Sequence, residues 1–249
     1  MSGRPSAPLV VFVHGGVHDG RSWQRCIAAL SILRAGLRTV AVDLPGRRTR
    51  PAQLKTLTVD ACIASVCAQI DDVRQPDEHV VLIGHSLAGI VLPGVARSLP
   101  RGVVEHGIFV ACCVPRPDQC VIDTLPSALT WVVRRVLRRS PVIESVPWVV
   151  LRFFFGNGLT RAQRALIRAH TCPESAALLV QAPRASWPTD VPATWISPAH
   201  DRAQPPALQR RSAGVIGSHV TMHTINANHE VMLTHPEELA RMLSNIIDQ

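Results

Sequence analysis

Short runs of consecutive apolar residues alternate along the chain with stretches whose apolar positions recur every three or four residues. The runs at 9–13, 37–42, 80–83, 103–112, 193–196 and 219–225 have the length and density of strands buried on both faces. Between them, residues 23–34 place Trp23, Ile27, Leu30 and Leu33 on one helical stripe. Residues 59–73, 90–99, 206–213 and 236–247 read as further helices, the last with Pro236 in its first turn, where a missing N–H costs nothing. This alternation predicts an α/β fold, a mostly parallel, doubly wound sheet with helices on both faces. From about 116 to 187 the alternation lapses into helical patterns broken by Pro126, Pro141, Pro147, Pro173 and Pro183, with no clear strand. A helical insertion capping the sheet is expected there, within a single domain over residues 1–249.

Composition narrows the class. Hydrophobic residues make up 47% of the chain and charged residues 18%, which predicts a packed core and not a disordered chain. The net charge is +8, almost wholly from arginine, with Lys55 the sole lysine. No nucleic-acid-binding motif accompanies that charge, so nucleic acid is not an expected partner. Residues 1–8 are polar and contain proline, and the apolar run after them is too short for a signal-peptide core. No stretch of eighteen apolar residues occurs, which argues against a membrane-spanning helix. The cysteines at 26, 62, 67, 112, 113, 120 and 172 show no C-x-x-C spacing, which argues against zinc or a redox pair. Scattered reduced thiols fit a cytoplasmic protein. No phosphate-binding glycine loop or metal-ligand set is present, so no cofactor and no metal are expected.

The chemistry centres on Gly84-His85-Ser86-Leu87-Ala88-Gly89, which follows a predicted strand and opens a predicted helix. Gly-x-Ser-x-Gly in that setting reads as a nucleophile elbow, with the serine hydroxyl exposed on a strained turn. A serine hydroxyl needs a base to take its proton, usually a histidine oriented by a buried carboxylate. Of eleven histidines, His229 stands between the last strand and the last helix, where the base belongs. Asp201 follows the strand at 193–196 and completes the order Ser, Asp, His. Asp118 also follows a strand at the correct end and competes; Asp190 precedes its strand, at the wrong end. The negative oxygen formed on attack calls for two N–H donors, one from Leu87 and one from Gly16 in the His14-Gly15-Gly16-Val17 loop. His14, His18 and His85 are expected to hold loops, His200 to be a loop residue, and Cys112 and Cys113 to be small buried residues. In the insertion, Trp131 and neighbouring valines interleave with Arg134, Arg135, Arg138 and Arg139, and Phe153-Phe154-Phe155 follows. That bulk predicts a pocket for a hydrophobic small molecule under a basic lid. Its basic face could also dock an acidic carrier protein or a membrane surface.

On these residues the chain resembles the α/β-hydrolase superfamily, and within it the branch of plant methyl esterases, hydroxynitrile lyases and their small bacterial relatives. The likeness rests on Phe12-Val13-His14-Gly15-Gly16-Val17-His18-Asp19-Gly20, Val42-Asp43-Leu44-Pro45-Gly46, the elbow, Asp201 with Pro205-Pro206-Ala207-Leu208-Gln209, and His229 with Met232-Leu233-Thr234-His235-Pro236-Glu237-Glu238-Leu239-Ala240. The resemblance implies Ser86, Asp201 and His229 as a triad, with Gly16 and Leu87 as the oxyanion hole. It implies a cofactor-free serine hydrolase that cleaves a carboxylic ester through an acyl-enzyme. A thioesterase, lactonase or cyclase is the nearest alternative, and a non-catalytic ligand-binding protein on the same scaffold the next. Lyases of the branch carry a hydroxyl residue where Gly15 stands and a lysine where Glu230 stands, so cyanide release is not expected. Epoxide hydrolases and dehalogenases use an aspartate where Ser86 stands.

Overall fold

A computed structural model describes residues 7–248; the first six residues of the polar start and Gln249 lie outside the described residues. The first half runs β1 (Leu9–Val13), α1 (Gln24–Leu33), β2 (Thr39–Val42), α2 (Val59–Asp71), β3 (Val80–His85), α3 (Leu92–Ser98) and β4 (Val104–Val110). An insertion follows with α4 (Ser127–Leu137), β5 (Val142–Ile143), α5 (Trp148–Val150), α6 (Arg161–Ala169), β6 (Glu174–Ser175) and α7 (Ala177–Val180). The chain then returns to the sheet through β7 (Ala193–Pro198), α8 (Pro206–Ile216), β8 (Thr221–Ile225), α9 (Val231–Thr234) and α10 (Pro236–Ile247).

Six strands pair in the order β2-β1-β3-β4-β7-β8, every pair parallel. The unbroken apolar runs of β1 and β3 follow from burial on both faces, whereas the edge strand β8, read as buried, leaves Thr221, Met222 and Thr224 exposed. Val10, Phe12, Val81, Ile83 and Ile108 join Leu30 of α1 and Leu239 and Leu243 of α10 in one core. The alternate residues Val11, Val13, Leu82, Phe109 and Trp195 join Val66 of α2, Val95 of α3 and Ile216 of α8 in the other. Each such fully buried side chain is worth about 1.5–3 kcal/mol, so the alternation fixes which way each strand faces.

The strand order reverses beside β1, with β2 on one side and β3 on the other. The segments leaving the carboxyl ends of β1 and β3 therefore bound a crevice, the place where open α/β sheets take ligands. Among the described residues, three other than glycine have left-handed backbone: Val17 (φ 56°), Ser86 (φ 50°) and Ala111 (φ 49°). They lie in the segments that leave β1, β3 and β4, so backbone strain gathers at that end of the sheet.

Several boundaries differ from the sequence reading. The helix predicted from Trp23 is preceded by a 3-10 turn, Gly20–Trp23, capped by the Asp19 side chain. β2 starts at Thr39, and the elbow continues as a 3-10 turn, Ser86–Ile90, before α3. The insertion, read as free of strands, contains the antiparallel pair β5 and β6. Each strand is two residues long, too short to show a period, and each abuts a proline.

Candidate active site

Ser86 sits where β3 turns into the 3-10 segment, and close approach at the turn demands glycine on both sides. A Cβ on Gly84 would lie 2.6 Å from Leu92 Cδ1, and one on Gly89 only 2.4 Å from the Cys113 carbonyl oxygen. The Cys113 N–H in turn donates to the Ser86 carbonyl at 2.9 Å, tying the elbow to the end of β4.

The segment after β8 brings His229 across to this turn. Its Nε2 lies 3.1 Å from Ser86 Oγ, and its Nδ1 lies 2.7 Å from Asp201 Oδ2. Asp201 is buried and accepts a further bond from the Gln204 backbone N–H at 2.7 Å. Gln209 Nε2 approaches Oδ2, the oxygen that faces His229, at 3.4 Å. Burial alone would push the His229 imidazole toward its neutral form, but the Asp201 carboxylate overrides it and raises its pKa above the ordinary value. Asp118 is exposed; Asp190, also exposed, pairs with Arg101 at 3.1 Å. Neither of these aspartates reaches His229.

Gly16 packs against Leu87: a Cβ on Gly16 would meet Leu87 Cδ2 at 3.3 Å. Both residues border the cavity above Ser86. Val17, next in the loop, donates its N–H to Glu174 Oε2 at 3.0 Å.

The other histidines around the turn hold loops in place. His14 donates from Nδ1 to the Gly15 carbonyl at 2.8 Å and accepts the Leu44 N–H at 3.0 Å. His85 donates from Nε2 to the His229 carbonyl at 3.0 Å. Burial, with His229 adding to it, pushes the His85 pKa down to about 3, so this ring is neutral. His18 pairs with Glu230 at 3.2 Å and donates to the His170 carbonyl at 3.0 Å. Burial would raise the Glu230 pKa, but His18 overrides it and holds the carboxylate ionised. His200 meets Asn226 Oδ1 at 2.7 Å. Cys112 and Cys113 are buried, and burial pushes the Cys113 thiol up to about 11.

A cavity of about 120 Å³ opens directly above Ser86 and His229. Its walls are nearly all apolar: Leu129, Val132, Val133 and Val136 from α4, with Val150 and Phe155 from the α5 segment. Phe155 also packs edge-on against the His229 ring, with centroids 5.3 Å apart. Phe155 belongs to the apolar bulk expected around the pocket and Gln209 to a stretch of the family likeness, but nothing in the local sequence marked Gln204, Glu174 or Arg47 as neighbours of the site. Glu174 and Arg47 meet only across 127 positions. Among the described residues, no group of three His, Cys, Asp or Glu side chains could hold a metal ion. No helix among them is long and apolar enough to cross a membrane.

Comparison with known proteins identifies the family and the fold. Residues 10–242 match the model of the alpha/beta hydrolase family. A probable esterase of rice (Oryza sativa subsp. indica), PIR7A, is 32% identical over 105 residues, 42% of this chain. The match spans only 39% of that relative's length. Salicylic acid-binding protein 2 of tobacco (Nicotiana tabacum) is 23% identical over 95% of both chains. Among solved structures, an extracellular alpha/beta-hydrolase from a Paenibacillus species superposes with a TM-score of 0.81 at 19% identity, over 96% of this chain and 98% of its own. At that identity the superposition speaks to the fold.

Proposed function

The chain belongs to the alpha/beta hydrolase family, and from that premise we propose that it is a cofactor-free serine esterase acting on a hydrophobic small molecule. The observation that carries this reading is the hydrogen-bonded line Ser86–His229–Asp201, with steps of 3.1 and 2.7 Å, beneath an apolar cavity. The description of the rice relative as a probable esterase supports the same class.

In this reading His229 Nε2 takes the Ser86 hydroxyl proton as Oγ attacks the ester carbonyl carbon. The oxygen that becomes negative is held by the Gly16 and Leu87 N–H groups, while Asp201 stabilises the imidazolium. The tetrahedral adduct collapses, and His229 gives its proton to the departing alkoxide, which leaves as the alcohol. Water, deprotonated by the now neutral His229, then attacks the acyl-enzyme. Collapse of the second adduct releases the acid and restores the Ser86 hydroxyl. The α4 face sorts acyl or alcohol groups by apolar bulk, which favours hydrophobic esters over sugars or phosphate esters. Glu230 holds a carboxylate where a cyanide-releasing enzyme would need a cation, so lyase chemistry is disfavoured.

The seven unpaired cysteines support a reducing, cytoplasmic setting. The exposed arginines and tryptophans of the insertion support docking on an anionic membrane surface. Replacing Ser86 with alanine should remove turnover of short activated esters, at least about 10³-fold, and abolish the one-to-one fluorophosphonate adduct. Turnover retained by Ser86→Ala would overturn the assignment. Thioesters or lactones hydrolysed faster than matched esters would move it to the neighbouring class. Absence of any adduct on the wild-type chain would favour a binding protein.

A further inference from the structure

The loop that presents Gly16 is braced from the insertion. Val17 is β-branched and left-handed (φ 56°), a conformation it keeps only if its surroundings hold it there. Both of its backbone polar groups are taken by one limb of the insertion. Its N–H donates to Glu174 Oε2 at 3.0 Å, and its carbonyl accepts the Cys172 N–H at 2.8 Å. Glu174 is itself fully occupied: Arg47 grips it with Nη2 at 2.5 Å and Nη1 at 3.3 Å, and the Ser175 N–H donates to it at 2.8 Å. The third guanidinium nitrogen, Nε of Arg47, donates to the His18 carbonyl at 2.7 Å, on the far side of Val17. Both charged side chains are out of solvent, at 0% and 1% exposure. A Cβ on Gly16 would lie 3.7 Å from Glu174 Oε2, so this carboxylate borders the site where negative charge would form.

We propose that Arg47 and Glu174 are a positioning pair that aims the Gly16 N–H at the oxyanion and cancels the carboxylate's charge beside it. This rests on the esterase reading and on Gly16 as an oxyanion donor. Two physical effects combine. A shift of about 1 Å in a donor costs on the order of 10²-fold in rate. A buried carboxylate left unpaired next to a developing oxyanion opposes the charge that the hole must stabilise. The insertion thus does more than roof the cavity: its returning limb forms the outer wall of the oxyanion loop.

The test compares Arg47→Met, Glu174→Gln and the double variant on one soluble activated ester. Rates are normalised to folded enzyme by melting curve and circular dichroism. Arg47→Met should lower kcat about 10- to 100-fold with KM within about threefold. The double variant, which has no charge to leave unpaired, should recover part of the rate. Affinity for a trifluoromethyl ketone, whose hemiketal carries the oxyanion, should fall in step with kcat in the single variants. If Arg47→Met does not fold, Glu174→Gln decides alone: about tenfold losses in both kcat and ketone affinity support the pair. Singles that keep both quantities within twofold, or lose rate only in proportion to folded fraction, overturn it. Failure of the esterase reading itself would show separately, as unchanged turnover in Ser86→Ala.

Discussion

At the scale of single residues, His229 carries the sharpest consequence. In the proposed mechanism the imidazole must be neutral, and Asp201 holds its pKa above the ordinary histidine value, about 6.5. The value of kcat/KM should therefore rise with pH, with a midpoint above that value. In Asp201→Asn the supporting charge is gone while burial still favours the neutral ring. The midpoint should move to lower pH, and the plateau should fall by about 10³- to 10⁴-fold because the imidazole is no longer held in its working tautomer. A pH–rate profile checks both movements at once; an unmoved midpoint would mean that Asp201 does not govern the ring. The three residues of this line were legible because each follows a strand in an order that one sheet topology brings together. Arg47 and Glu174 were not: an isolated arginine and an isolated glutamate become a pair only when the insertion folds back onto the loop after β1. Glu230 was visible only as a departure from the lyases, and its partner, His18, lies 212 positions away.

At the scale of elements, strands were easier to read than what joins them. A strand buried on both faces declares itself by an unbroken apolar run, as β1 and β3 did, whereas the edge strand β8 is mostly exposed and mixes polar with apolar residues. The pair β5–β6 is held by backbone bonds and by burial of Val142 and Glu174, neither of which leaves a period in the sequence. The elbow shows how glycine couples elements. Gly89 faces the backbone of Cys113 at 2.4 Å, whereas Gly94 of α3 faces the end of the Ile63 side chain on α2 at 2.1 Å. A side chain can rotate away; a carbonyl in the segment leaving β4 cannot move without shifting that segment. Gly89→Ala should thus cost about 1–3 kcal/mol. At about 2–4 °C per kcal/mol for a chain of this size, Tm should fall by several degrees. Gly94→Ala, relieved by an Ile63 rotamer and favoured by helix propensity, should lose less. Thermal unfolding of the two variants checks the order, and an equal or larger loss at Gly94 would refute this account of the elbow.

At the scale of the whole molecule, charge is unevenly placed. Residues 121–187 hold nine arginines against Asp123, Glu144 and Glu174, so six of the eight net positive charges belong to the segment that roofs the cavity. The same segment exposes Trp131, Trp148, Val149 and Phe153, at 53–63% each. The inner face of α4 lines the cavity while its outer face carries Trp131, Arg134, Arg135 and Arg138. A hydrophobic ester partitions into membranes, and aromatic rings beside arginines suit the interface of an anionic bilayer, where each cation adds about 1 kcal/mol. The five tryptophans make this measurable: Trp23, Trp187 and Trp195 are buried, so a change in emission reports on Trp131 and Trp148. Vesicles containing phosphatidylglycerol should shift the emission to the blue, and pure phosphatidylcholine vesicles should not. Salt at about 0.5 M should reverse the shift, because the Debye length then falls to a few ångströms. Trp131→Ala with Trp148→Ala should remove it while leaving turnover of a soluble ester intact. Equal shifts with both lipids would make the arginines irrelevant, and no shift with either, alongside salt-sensitive binding to an acidic protein, would move the partner from lipid to protein.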